Sequence, residues 1–204
     1  MGILERFAVA GITGPKTILV HGVHLDAGDI DIVASTNSML VNCPESNMNN
    51  AVGIAPVLEM LRQGVLVGLG TDGMSSHLFS QARAMYLQQR LGKSDPSVGF
   101  IEACEALLRN NRLIANRLFG DRRGSLAPGQ LADIAIYDYV PPTPLRAETL
   151  AGHLLFGIGF ARVLTTIARG RVIVDAGKVV GIDEEAIRAQ CARRAPVIWQ
   201  RMLS

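Results

Sequence analysis

Short apolar runs alternate with helical patterns over the first half of the chain. Residues 17–20 form an apolar run of strand length that ends at His21. Asp26 then offers a helix N-cap, with Asp29 three residues on as in a capping box, and Ile30, Val33 and Ala34 supply the apolar face of that helix. A second buried strand is predicted over 38–41, followed by a polar loop over 42–47. A helix over 55–63 follows, with Val57, Leu58 and Leu61 inward and Gly64 as its C′ residue. The third strand, 65–69, is apolar throughout, as in a parallel sheet covered on both faces. Strand, helix, strand, helix, strand is the grammar of a parallel α/β fold.

Two longer helices are predicted over 77–91 and 98–119. Past Gly120 the pattern changes to short strands punctuated by glycine and proline, over 134–137, 163–168 and 171–174. The turn Asp175-Ala176-Gly177-Lys178 closes a hairpin into Val179-Val180. A terminal helix over 183–202 contains Pro196, which is expected to kink it, and carries Ile198, Trp199 and Met202 as packing residues. The change of style divides the chain into an α/β part, 1–120, and a strand-rich part, 121–204. No internal repeat or low-complexity linker separates them.

Composition narrows the function. Hydrophobic residues make up 49% and charged residues 19% of the 204, so the chain can build a core and is not disordered. A formal net charge of +2, with basic residues dispersed, argues against nucleic acid or an acidic membrane as partner. No apolar run reaches the roughly 18 residues of a membrane span, and no secretion signal is visible. Cys43, Cys104 and Cys191 are far apart, an odd count that suits reduced thiols in the cytoplasm.

His21 and Asp72 each follow the C-terminal end of a predicted parallel strand, and the polar loop leaves the middle strand at the same rim. In barrels and open α/β sheets that rim collects ligands and catalytic groups. Gly68-Leu69-Gly70-Thr71-Asp72-Gly73 also satisfies G-x-G-x-x-G. It fails as a dinucleotide fingerprint, because no strand ending in an acidic residue follows about 20 residues on. Asp72 inside the turn would also repel a pyrophosphate. His77 is read as a helix-start residue and His153 as a hydrogen-bonded core residue.

Val20-His21-Gly22-Val23-His24-Leu25, Pro44-Glu45-Ser46-Asn47-Met48-Asn49-Asn50 and Leu69-Gly70-Thr71-Asp72-Gly73, in this order, resemble the last three strand–loop motifs of the amidohydrolase superfamily. The similarity is to the branch that holds guanine deaminase, adenosine and S-adenosylhomocysteine deaminases and the triazine hydrolases. Ser46 to Gly53 and Asp138 to Pro144 resemble the SsnA-type aminohydrolases. Gly124-Ser125-Leu126-Ala127-Pro128-Gly129-Gln130-Leu131-Ala132-Asp133 resembles the segment that enters the small β-sandwich of such proteins.

The resemblance implies an α/β fold: strands 6–8 of a metal-dependent (β/α)₈ TIM barrel over 1–120, and the C-terminal segment of the accompanying β-sandwich over 121–204. It implies hydrolysis of a non-peptide C–N bond in a small, purine-like heterocycle by metal-activated water. Asp72 corresponds to a metal ligand that also moves the proton, and His21 to the histidine that orients the water. His24 belongs to the same motif as a structural residue. Ser46, Asn47 and Cys43 are expected at the substrate. The metal is expected to be zinc, with iron the alternative. The family loop reads His-Asn-Pro-x-Ser-Asn where this chain has Asn42-Cys43-Pro44-Glu45-Ser46-Asn47, so one histidine is absent. The family's HxH ligands are also absent: the histidines are His21, His24, His77 and His153. The chain alone is therefore expected to be inactive. It is expected either to be completed by an N-terminal part or a homo-oligomeric partner, or to act as a non-enzymatic pairing module.

Overall fold

The computed structural model describes residues 1–120 and 122–203. Residues 121 and 204, the two ends of the expected strand-rich part, lie outside the described residues. Two compact units emerge: Met1–Leu131 with Tyr139–Ala161, and Ala132–Asp138 with Arg162–Ser204. This division differs from one at residue 120, because the chain visits the second unit for one strand and then returns to the first.

In the first unit, after a short helix α1 (Ile3–Val9), three parallel strands pair in sequence order: β1 (Ile18–Val20), β2 (Met39–Asn42) and β3 (Leu66–Leu69). The connection from β1 is α2 (Ala27–Ser35), whose N-cap Asp26 accepts from the Asp29 N–H at 2.9 Å while the Asp26 N–H donates to Asp29 at 3.4 Å. That from β2 holds α3 (Pro44–Asn49) and α4 (Val57–Arg62). The expected polar loop after β2 is thus partly helical. Pro44 at the first helical position has its φ preset and needs no hydrogen bond for a missing N–H, which lets six polar-rich residues turn. Gly64, at φ +79°, ends α4 as its C′ residue.

Leu40, Val67 and Leu69 share one buried cluster with Ile30 and Val33 of α2, Met60 of α4 and Ala82 and Met85 of α5 (Leu78–Lys93). Leu40, Val33, Met60, Val67 and Met85 are fully buried. The next helix runs from α6 (Phe100–Glu105) through a π turn (Ala106–Asn110) into α7 (Asn111–Phe119). The wide turn lets consecutive asparagines reach the same strand. Asn110 donates to the Val67 carbonyl at 2.8 Å. Asn111 accepts from the Leu69 N–H at 2.8 Å and donates to the Leu69 carbonyl at 3.1 Å. Side-chain amides therefore satisfy β3 where no further strand among the described residues pairs with it. Gly68 is needed there, since a Cβ would collide with Asn111 and Ile114.

The first unit closes with α8 (Leu150–Phe156) and a 3₁₀ turn (Ile158–Phe160). His153 is buried on α8, as expected, with Nδ1 2.5 Å from the Tyr139 hydroxyl and Nε2 3.3 Å from Thr143 Oγ1.

The second unit is an antiparallel sheet of β4 (Ile134–Asp138), β5 (Arg162–Ala168), β6 (Arg171–Asp175) and β7 (Lys178–Val179) in that order, with α9 (Glu184–Leu203). The predicted hairpin at 175–178 forms, with Ala176 and Gly177 both at positive φ. Pro196 lies inside α9. The expectation that Trp199 packs is corrected: Trp199 is 62% exposed, and Ile198 and Met202 are exposed with it.

Candidate active site

The C-terminal ends of the three parallel strands are tied together before any side chain acts. His21 N–H donates to the Val41 carbonyl, and Gly70 N–H to the Asn42 carbonyl, each at 2.9 Å. The chain then turns sharply at both flanking strands. His21 has φ +68° and is followed by Gly22, also at +68°; Asp72 has φ +52°. Left-handed backbone at a non-glycine residue costs on the order of 1 kcal/mol and persists where the surroundings enforce it. At Gly22 a Cβ would lie 2.8 Å from Leu40 and 3.2 Å from Met60, so the turn carrying His21 rests directly on the core.

These turns bring His21 Nε2 to 3.8 Å from Asp72 Oδ2, with both side chains a little under half exposed. α3, which follows the central strand, serves both. Ser46 Oγ donates to Asp72 Oδ2 at 2.6 Å, and Asn47 Oδ1 stands 2.9 Å from His21 Nδ1. The Gly73 N–H donates to Asp72 Oδ1 at 2.8 Å. The Ser46 hydroxyl first, then the Gly73 amide and the His21 ring, hold the Asp72 carboxyl below its ordinary range. Asp72 is therefore an ionised, hydrogen-bonded carboxylate at neutral pH.

Ser46 and Asn47 are buried behind the two exposed groups, at 3% and 1% exposure. Cys43 is buried too. Burial pushes its thiol up, and the Asp72 carboxylate adds to the shift; the Asp72 backbone N–H, directed at the sulfur, opposes it. A thiol kept neutral in this way is no nucleophile. Asn42, where the family loop has histidine, is 1% exposed and neither polar atom of its side chain finds a partner among the described residues. His24 is exposed and lines, with His21, Asn47 and the apolar residues Leu4, Leu19 and Val23, a cavity of about 460 Å³ beside the site. His77 caps α5, its ring accepting the Ser80 N–H at 3.2 Å.

One set of residues escaped the sequence reading. Gln81, Gln88 and Gln89 of α5 are buried. Gln81 accepts from the Glu45 N–H at 3.2 Å and donates to the Glu45 carboxylate at 2.6 Å; Gln88 donates to the Pro44 carbonyl and Gln89 to that of Ala55. Three amides thus clamp the segment that carries Ser46 and Asn47. Their signal was the spacing: glutamines at 81 and 88 share the helix face of Ala82 and Met85.

Asp72 offers a hard carboxylate oxygen of the kind a divalent metal takes. No group of three or more His, Cys, Asp or Glu that could hold a metal occurs among the described residues. No helix among the described residues is long and apolar enough to cross a membrane.

The chain is similar to known proteins over nearly its whole length. It is 36% identical over 190 residues to the 5-methylthioadenosine/S-adenosylhomocysteine deaminase of Pelotomaculum thermopropionicum, covering 91% of this chain and 43% of that protein. Against the 5′-deoxyadenosine deaminase of Methanothermobacter thermautotrophicus the identity is 32%, with 90% and 43% covered. The crystal structure of an adenosine deaminase from Xanthomonas campestris with bound zinc superposes with a TM-score of 0.83 at 25% identity, over 97% of this chain and 46% of that one. The atrazine chlorohydrolase TrzN of Arthrobacter aurescens shares the fold, with a TM-score of 0.76 at 21% identity, over 95% and 44%. The chain spans a little under half the length of each. The sequence profile of the Amidohydrolase family matches residues 1–173, and the chain belongs to that family.

Proposed function

We propose that these residues are the C-terminal portion of a hydrolytic deaminase that removes the exocyclic amine of a purine nucleoside, in a site that contains a divalent metal. The observation that carries this reading is the 3.8 Å approach of His21 Nε2 and Asp72 Oδ2 from the two outer strands of the sheet. In this reading β1, β2 and β3 correspond to the last three strands of a (β/α)₈ barrel, and the second unit to part of the accompanying sandwich. The relatives named as deaminases of 5-methylthioadenosine, S-adenosylhomocysteine and 5′-deoxyadenosine support the substrate class. The relatives named here as deaminases give no support to a non-enzymatic pairing role.

Asp72 is the residue that would bind the metal, with the remaining ligands supplied from outside these 204 residues. Zinc is favoured over iron by the zinc bound in the similar adenosine deaminase. A bound divalent ion would lower the pKa of a water held on it toward neutrality. Asp72, ionised at neutral pH, accepts the proton of the attacking water as its oxygen bonds to the ring carbon. The same carboxyl returns that proton to the exocyclic nitrogen as the C–N bond breaks and ammonia leaves. His21 accepts a hydrogen bond from the attacking water and turns its lone pair toward the ring carbon. Ser46 holds the Asp72 carboxylate, and Ser46, Asn47 and Cys43 shape the wall behind the two exposed groups.

Ammonia release by the complete protein, loaded with zinc and offered 5′-methylthioadenosine, S-adenosylhomocysteine and 5′-deoxyadenosine, tests the reading. Turnover of at least one is expected. Failure with every purine nucleoside would contradict the reading.

A further inference from the structure

We propose that Asn47 is a positioning residue that holds His21 in the tautomer protonated at Nδ1, so that the lone pair of Nε2 faces Asp72. This deepens, and rests on, the reading of His21 as the imidazole beside the attacking water.

Neutral imidazole carries one proton, and the nitrogen without it can only accept. A carboxamide oxygen has no proton to give. With Asn47 Oδ1 at 2.9 Å from Nδ1, the bond forms only if Nδ1 is the donor. Nε2 is then the acceptor. Its 3.8 Å distance to Asp72 Oδ2 is too long for a direct hydrogen bond, yet one oxygen atom about 2.8 Å from each can touch both. A water there donates one proton toward Nε2 and the other toward the carboxylate, which leaves its lone pair free for attack.

Both partners are fixed from behind. Asn47 is 1% exposed, so bulk water does not compete for its oxygen. Its own N–H donates to the Cys43 carbonyl at 3.0 Å, and its carbonyl accepts from Val52 at 3.2 Å. The α5 amides Gln81 and Gln88 hold the two residues at the start of the same short helix. His21 is tied to Val41, and its turn is wedged against Leu40. A rotatable, solvated partner would leave the tautomer to chance; this one does not.

The buried asparagine therefore serves the histidine. Its Nδ2, unpaired among the described residues, marks the other face of the same amide. Turning the amide over would point that nitrogen at His21, demand the Nε2–H tautomer and abolish the acceptor toward Asp72.

The test is ¹⁵N–¹H multiple-bond correlation NMR of the complete protein labelled in histidine, above the pH at which imidazole protonates. His21→Gln identifies the His21 signals. The expected wild-type pattern is a single Nδ1–H tautomer for His21. In Asn47→Leu that pattern is expected to give way to a mixture or to Nε2–H. In Asn47→Asp, which keeps the acceptor, Nδ1–H is expected to be retained, which also serves should the leucine variant fail to fold. An Nε2–H tautomer in the wild type would overturn the proposal. So would an Nδ1–H pattern unchanged in Asn47→Leu, or its loss in Asn47→Asp. The readout needs no turnover, so a protein that shows the tautomer yet deaminates nothing would overturn the functional reading and leave the Asn47–His21 assignment standing.

Discussion

Ser46 Oγ lies 2.6 Å from Asp72 Oδ2, a hydroxyl on the helix after the central strand restraining a carboxylate just past the end of the strand beside it. That hydrogen bond is the largest of the influences that lower the Asp72 carboxyl from its ordinary 3.8. A carboxyl whose folded value is depressed contributes stability above its unfolded value and loses it as pH falls through the folded one. Asp72 is solvated, so the effect on stability is small and the effect on ionisation is the useful one. Ser46→Ala is expected to raise the Asp72 value and move the acid limb of the complete protein's activity to higher pH. A pH–rate profile with an unmoved acid limb would show that Ser46 does not set the ionisation.

The turn at His21 has no room for a side chain on its second residue. Gly22→Ala adds a Cβ at φ +68°, 2.8 Å from Leu40. Left-handed strain and overpacking together are expected to cost about 1–3 kcal/mol. Urea unfolding measures this, and a loss below roughly 0.5 kcal/mol, the range of ordinary surface changes, would mean that the turn can relax away from the core.

Gln81 ties Glu45 through both its N–H and its carboxylate. Gln81→Leu leaves those groups without their partner and is expected to cost about 1–3 kcal/mol. Because Glu45 immediately precedes Ser46, kcat is expected to fall with stability. Unfolding curves and kinetics on the one variant separate the two effects, and an unchanged kcat would confine Gln81 to the fold.

Much of this was legible in advance because periodicity reports burial. The apolar runs at 17–20, 38–41 and 65–69 became parallel strands with ends shifted by one residue, and Asp26 with Asp29 formed the expected capping box. The convergence of His21 and Asp72 followed from strand order alone, since neighbouring parallel strands end at one rim. What hid from the sequence was polar structure that packs. α3 has the pattern of a loop because Pro44 to Asn49 has almost no apolar face, and its hold comes from α5 glutamines some forty residues away. The π turn at 106–110 leaves no mark on hydrophobic spacing; its reason is the pair Asn110 and Asn111 on β3. Trp199 misled by its type, since aromatic residues usually pack, whereas here it is exposed.

The cysteines differ in reactivity by burial. Cys191 is exposed, whereas Cys43 and Cys104 are buried. Burial pushes the Cys104 thiol from 9.0 up to about 11. Alkylation of the native protein at pH 8 is expected to modify Cys191 and to spare the other two until unfolding. The raised thiol stabilises the fold below pH 9, and that contribution, at most about 3 kcal/mol, is lost as pH rises from 9 to about 11. Rapid native alkylation of Cys104, read by mass spectrometry, would contradict its burial.

The central claim is that the carboxylate of Asp72 and the imidazole of His21 share one activated water. The most direct measurement is metal content and ammonia release of the complete protein with Asp72→Ala, beside the wild type. Asp72 is nearly half exposed, so the variant should stay folded, and circular dichroism checks this. Loss of stoichiometric metal, with a fall in turnover of at least about 10²-fold, the low end of what a positioned proton-transfer group contributes, is predicted. A folded variant with wild-type metal content and wild-type turnover would contradict the account.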